Sequence, residues 1–235
     1  MRIDAFILKN FVKKASLCGA SRAINLNFKE EGLHSSVRET GNVAMADVFM
    51  SKDVFTDYKA LGEIFIKDSV AFINYLGTFG SYVDITMEGE YIMVLEDESR
   101  VGSVLLGAEI VCDNVHRTGI PELDGQVSMM LTKNDLERTF GDIKMLKVNK
   151  VTVTREEEKL IFEVGTRGET DYFQNVLTAP AVKEKHSVSV GDMFKALYET
   201  MDESIELKIA TDKPLIAVEK GKYMTYTCTI APFTS

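Results

Sequence analysis

The stretch His116-Arg-Thr-Gly-Ile-Pro-Glu-Leu-Asp-Gly-Gln126, "HRTGIPELDGQ", lies close to the midpoint of a 235-residue chain. Pro121 has no amide hydrogen, and Gly119 and Gly125 are conformationally loose, so the stretch cannot be the interior of a helix or of a central strand. It reads as a connector, and the sequence on either side says what it connects.

Four segments have helical spacing of apolar residues. The first carries Leu8, Phe11, Val12 and Ala15, and the second, within 68–78, carries Phe72, Ile73 and Leu76. The third carries Leu136, Phe140 and Ile143, and the fourth Met193, Phe194, Leu197, Tyr198 and Met201. Two precede the connector and two follow it. Short alternating runs fill the rest, among them Ile24/Leu26/Phe28, Val83/Ile85/Met87, Leu160/Phe162/Val164 and Ile205/Leu207/Ile209, and they end in polar turns. The order helix, strands, helix, strands therefore occurs twice. Laying "LKNFVKK" (8–14) on "TKNDLER" (132–138) matches Lys9 to Lys133, Asn10 to Asn134 and Lys14 to Arg138. An acidic turn followed by a strand recurs at 29–37 and 156–164. The expectation is an α+β chain of two βαβββ-βαβββ-like domains, residues 1–111 and 125–235, joined by a connector at 112–124. Each domain has antiparallel sheet with two helices on one face.

Composition narrows the function. With 45% hydrophobic residues the chain can bury a core, and no apolar run approaches the roughly 18 residues that span a bilayer. No signal-peptide pattern opens the chain, so an intracellular protein is expected. Cys18, Cys112 and Cys228 have neither disulfide-framework nor zinc-site spacing. His34, His116 and His186 are isolated, "GTFGSY" (77–82) lacks the form of a phosphate-binding loop, and the runs 96–98 and 156–158 read as solvated acidic turns. Catalysis, a metal and a cofactor are not expected.

A net charge of −9, from 27 basic and 36 acidic residues, argues against gripping nucleic acid by bulk charge. Yet Lys9, Lys13 and Lys14 stand off the apolar stripe of the first helix, Lys133 and Arg138 off that of the third, and Lys195 off that of the fourth. These cations are either a solvated helix face or a basic strip facing phosphate. Their repetition across the two halves favours the strip.

"GIPELD" (119–124) resembles the connector of sliding clamps of the proliferating cell nuclear antigen type. "LKNFVKK" is similar to the first inner helix of that family, "VAM" (43–45) to the strand lining its partner groove, "DKPL" (212–215) to its penultimate-strand turn and "IAP" (230–232) to its C-terminal segment. The matches occur in family order over nearly the whole chain. The resemblance implies a clamp fold and a head-to-tail trimer that encircles double-stranded DNA without reading its sequence. DNA polymerase, clamp loader, nuclease and ligase would be tethered through short peptide motifs with aromatic anchors. It also implies that Lys9, Lys13, Lys14, Lys133, Arg138 and Lys195 face DNA. The partner groove would use Val43, Met45, Ile120, Pro121, Pro214, Ile230, Ala231 and Pro232. Subunits would meet through edges near "VLLGAEIV" (104–111) and "DYFQNVLT" (171–178). Such a ring would work in the cytoplasm of a prokaryote or archaeon, or in a eukaryotic nucleus. Three features depart from the family pattern: Lys67 is the lone cation near the second helix, Thr118 precedes Gly-Ile-Pro, and Arg38 falls where the groove usually has an apolar residue. They leave open a clamp-fold scaffold, or a heterotrimer subunit, that binds partners without encircling DNA alone.

Overall fold

The computed structural model describes residues 1–39, 41, 43–89, 91–96, 100–105, 126–147 and 149–233. Within them the chain runs β1 (Arg2–Asp4), α1 (Ala5–Ala15), β2 (Ile24–Lys29), β3 (Gly32–Arg38), β4 (Ala44–Ser51), β5 (Gly62–Ile66), α2 (Ser69–Leu76), β6 (Tyr82–Glu88), β7 (Tyr91–Glu96) and β8 (Arg100–Leu105). From residue 127 onward come β9 (Val127–Thr132), α3 (Lys133–Leu146), β10 (Val151–Glu156), β11 (Lys159–Val164), β12 (Phe173–Thr178), β13 (His186–Val190), α4 (Met193–Thr200), β14 (Ser204–Ile209), β15 (Leu215–Lys220) and β16 (Met224–Ile230). The four segments with helical spacing are the four α-helices among the described residues. The expected connector, 112–124, lies outside the described residues.

The chain divides into two compact units that exchange short segments. One comprises Met1–Thr40, Met45–Thr118 and Lys220–Tyr226, the other Gly41–Ala44, Gly119–Glu219 and Thr227–Ser235. In the first unit the strands form two antiparallel groups, β1-β6-β7-β8 and β5-β2-β3-β4. In the second the groups are β12-β11-β10-β13 and β16-β15-β14-β9, except that the first residues of β16, up to Tyr226, count with the first unit. The opening strand of each βαβββ motif therefore pairs with the other motif of its unit: Ile3 stands opposite Val83, Ile24 opposite Ile66, Val153 opposite Val188 and Leu207 opposite Met129. Each helix then links one strand group to the other, which places both helices of a unit together.

Local sequence sets these elements. Asp4 accepts from Phe6 N and Ile7 N at the start of α1, and Asp68 accepts from Ala71 N at the start of α2. Thr132 and Asp135 form a reciprocal capping box on α3. The apolar stripes then close the core. Leu8, Phe11 and Val12 of α1 are buried with Ile24, Leu26 and Phe28 of β2 in the first unit. Leu136 of α3 and Leu197 of α4 are buried with Leu160, Phe162 and Val164 of β11 in the second. Phe162 and Phe194 meet there with ring centres 5.9 Å apart.

The helices also correct the register of the duplication. Measured from the N-caps Asp4 and Thr132, a shift of 128 residues sets Leu8, Phe11, Val12 and Ala15 on Leu136, Thr139, Phe140 and Ile143. The shift that matches Lys9 to Lys133 is 124, one helical turn away. In the structural register Lys9 corresponds to Glu137, Lys14 to Asp142 and Arg138 to Asn10. The apparent conservation of sign between the halves is thus a coincidence of identities, and burial rather than identity defines the repeat.

Candidate partner groove and basic helix face

The expected groove residues are best followed from the end strand β13. Its backbone edge takes two segments: Asp212 N donates to Ser187 O at 3.3 Å and Phe233 N to Ser189 O at 2.7 Å. Between them in the C-terminal segment, Ala231 N donates to Val43 O at 2.8 Å. Pro232, which has no amide hydrogen, sits between two residues that both donate, where a missing donor costs nothing. Paired hydroxyls stiffen the strand beneath: Thr152 Oγ1 lies 2.8 Å from Ser189 Oγ, and Thr154 Oγ1 lies 2.9 Å from Ser187 Oγ.

This network gathers Val43, Pro214, Ala231 and Pro232 in the second unit. Val43 is 47% exposed, and Pro214, Ala231 and Pro232 are half-buried. Two expected members fall out. Ile230 is 1% exposed and belongs to the core, because it ends β16 with its side chain inward. Met45 is 8% exposed on β4 of the first unit, opposite Arg38. Ile120 and Pro121 lie outside the described residues. One apolar side chain was not anticipated: Phe233 is 45% exposed, with its ring over Gly191, where a Cβ would lie 3.5 Å from Phe233 Cδ2. An aromatic directly after Ala-Pro was the available signal.

The helices hold the charge that composition hid. They carry seven basic and four acidic side chains in a chain with 27 and 36. α1 has three lysines and no acid, whereas α3 has three of each sign. Individual positions differ sharply. Arg138 and Lys195 are exposed and Lys13 is half-buried. Lys195 Nζ is 3.8 Å from Glu199, an exposed i,i+4 pair. Lys14 does not stand on the solvent face as expected: it is 1% exposed, with Nζ 5.0 Å from the ring centre of buried Tyr226. Its helical position faces the core of its unit, where the ammonium lies against the Tyr226 ring in a cation–π contact. Lys133 Nζ donates to Met201 O at 2.8 Å, and Lys9 Nζ lies against Gly77.

The expected subunit edges overlap β8 and β12. β8 and β12 each end their strand group. Of residues 104–111 only 104 and 105 are described. On β12 the apolar Phe173 and Val176 are exposed, and Asn175 Nδ2 donates to Asp142 of α3 at 2.6 Å. Of the histidines, His34 pairs with Asp47 at 3.1 Å across β3 and β4, and His186 stands opposite Arg155.

No family model matches the chain. A curated relative, a DNA polymerase sliding clamp of Methanosphaerula palustris, is 24% identical over 239 aligned residues, covering 94% of each chain. A solved structure of the C-terminal region of FEN-1 bound to A. fulgidus PCNA has a TM-score of 0.82 at 18% identity, covering 100% of this chain and 98% of the other. PCNA of Thermococcus kodakaraensis has a TM-score of 0.80, also at 18% identity, covering 99% of both. The fold is that of the proliferating cell nuclear antigen sliding clamps, the family that the sequence resembles along nearly its whole length.

Proposed function

We propose that the chain is a DNA sliding clamp, a polymerase processivity factor that closes head to tail into a trimeric ring around duplex DNA and has no catalytic role. The observation that carries this reading is the likeness to a curated sliding clamp across 94% of both chains. The segregation of positive charge onto the helices of an acidic protein supports it. A closed ring retains DNA by topology, so its inner face needs only weak, sequence-independent attraction to phosphate. Lys13, Arg138 and Lys195 keep the phosphate-facing role. Lys14 is held within its unit and leaves that set.

Ring closure joins the exposed edge of β12 in one subunit to the β8 edge of the next, a heterologous contact between unlike strands. Partner enzymes dock a short peptide on Val43, Pro214, Ala231, Pro232 and Phe233, and the family resemblance adds Ile120 and Pro121 to that set. DNA polymerase, clamp loader, nuclease and ligase are the partner classes, and the ring works where the cell keeps its DNA.

Light scattering over a dilution series tests the assembly first. A mass of three 26.2 kDa chains, followed by retention on nicked circular DNA and release on linearisation, is the expected result. A trimer that passes through both DNA forms alike would refute encirclement. A persistent monomer would favour a heterotrimer subunit that closes only with other chains.

A further inference from the structure

The two short helices, α2 and α4, have eight residues each and no basic residue in the last turn. The longer helices supply their own, Lys13 and Lys14 in α1 and Lys144 in α3. A helix C-terminus presents unpaired carbonyls and partial negative charge, and a helix this short is marginal by itself. In both units a lysine from the neighbouring helix reaches the end of the short helix.

Lys133 is the first residue of α3, and its Nζ donates to the oxygen of Met201, the C-cap of α4, at 2.8 Å. The same ammonium is 5.4 Å from the ring centre of Tyr198, which stacks on Phe140 of α3 at 4.1 Å and 18°. In the other unit Lys9 reaches from α1 to Gly77, the C-cap of α2. A Cβ built on Gly77 would lie 2.7 Å from Lys9 Nζ and 3.3 and 3.4 Å from the oxygens of Asn74 and Ile73. The lysine head therefore occupies the space beside Gly77, at the end of α2, that any larger residue at 77 would take. Lys9 and Lys133 occupy different positions in their own helices, so the duplication does not explain the shared arrangement. The shared cause is electrostatic: each short helix leaves a negative end that its partner must neutralise.

We propose that Lys9 and Lys133 are cross-helix C-terminal caps that position α2 and α4, and that they are not contacts to DNA phosphate. The capping stands on this geometry alone, and the statement about phosphate rests on the clamp reading. In that reading the two lysines also screen negative helix ends from the DNA, and phosphate attraction is left to Lys13, Arg138 and Lys195.

The test uses the full-length assembled protein with Lys9→Met, Lys133→Met and, because it keeps every charge, Gly77→Ala. Amide hydrogen exchange reads the helix ends, and the salt dependence of binding to a short linear duplex reads phosphate contacts. Exchange at residues 74–78 in Lys9→Met and Gly77→Ala, and at 198–202 in Lys133→Met, should speed about fivefold. Lys133→Arg should restore protection. The salt slope should stay at the wild-type value, whereas loss of one phosphate contact would lower it by about 0.9. Unchanged exchange overturns the capping whatever the DNA result, and a lowered slope overturns the exclusion from phosphate. Failure of the wild-type protein to be retained on nicked circular DNA would strike the clamp reading and leave the exchange measurement to decide the caps.

Discussion

Replacing Lys14 by Met separates a buried structural cation from a phosphate contact. The side chain is 1% exposed, and its ammonium lies 5.0 Å from the ring centre of Tyr226, which is also 1% exposed. A desolvated cation–π contact contributes about 2 kcal/mol. Methionine keeps an unbranched apolar stem of similar reach, so most of the packing survives, and removing a buried charge relieves some desolvation. The loss of this contact alone is about 1–2 kcal/mol. For a chain of this size that lowers Tm by about 2–8 °C, read by circular dichroism at fixed protein concentration because assembly adds its own stabilisation. The salt slope of duplex binding should not change. Arg138→Gln, at an exposed position, should do the reverse: stability within about 0.5 kcal/mol of wild type and a slope lower by about 0.9. A Lys14→Met protein as stable as wild type, with a slope lower by about 0.9, would refute the burial argument.

Val43→Ser combined with Pro232→Ser alters exposed or half-exposed side chains, so it should weaken a Gln- and aromatic-containing partner peptide at least about tenfold in calorimetry with Tm unchanged; wild-type affinity would remove the groove assignment. Ile230→Ser should instead cost about 3 kcal/mol or more in urea unfolding, because that side chain is 1% exposed in the core. Gly32→Ala should lower Tm by about 6–12 °C, the equivalent of about 3 kcal/mol, since φ is +151° and a Cβ would come within 2.1 Å of Met50 O; an undiminished Tm would contradict the strand approach described. The Tyr58 hydroxyl is pushed up from its ordinary value near 10 to about 12, first by burial and then by the Glu31 carboxylate. Between those values the folded chain keeps a proton that the unfolded chain has lost, so stability falls as pH rises through that window. Tyr58→Phe should remove that part of the alkaline decline, and an identical decline in the variant would count against the shift.

Much of the fold is legible because it is local. Leu8, Phe11, Val12 and Ala15 announce α1 by spacing alone, and Ile205, Leu207 and Ile209 announce β14, since a helix and a half-buried strand repeat with different periods. The exchange of opening strands between motifs is not legible, because Ile3 meets Val83 through pairing between residues far apart in the chain. Ser187 and Ser189 gave no sign in the sequence that their carbonyls would anchor the Pro214 and Phe233 segments.

The helical and alternating segments, their twofold order, and the cations on helical segments of an acidic chain can all be read from the residues in order. Those properties depend on neighbouring residues and on composition. Tertiary structure alone decided what each cation does. Lys13 and Lys14 are adjacent in sequence, but successive helix positions point about 100° apart, which leaves one half-exposed and turns the other under Tyr226. Lys9 and Lys133 look like a repeated basic position, yet each is held at the end of a different helix. A lysine's charge is written in the sequence, whereas its partner is set by what packing brings within reach of a long side chain.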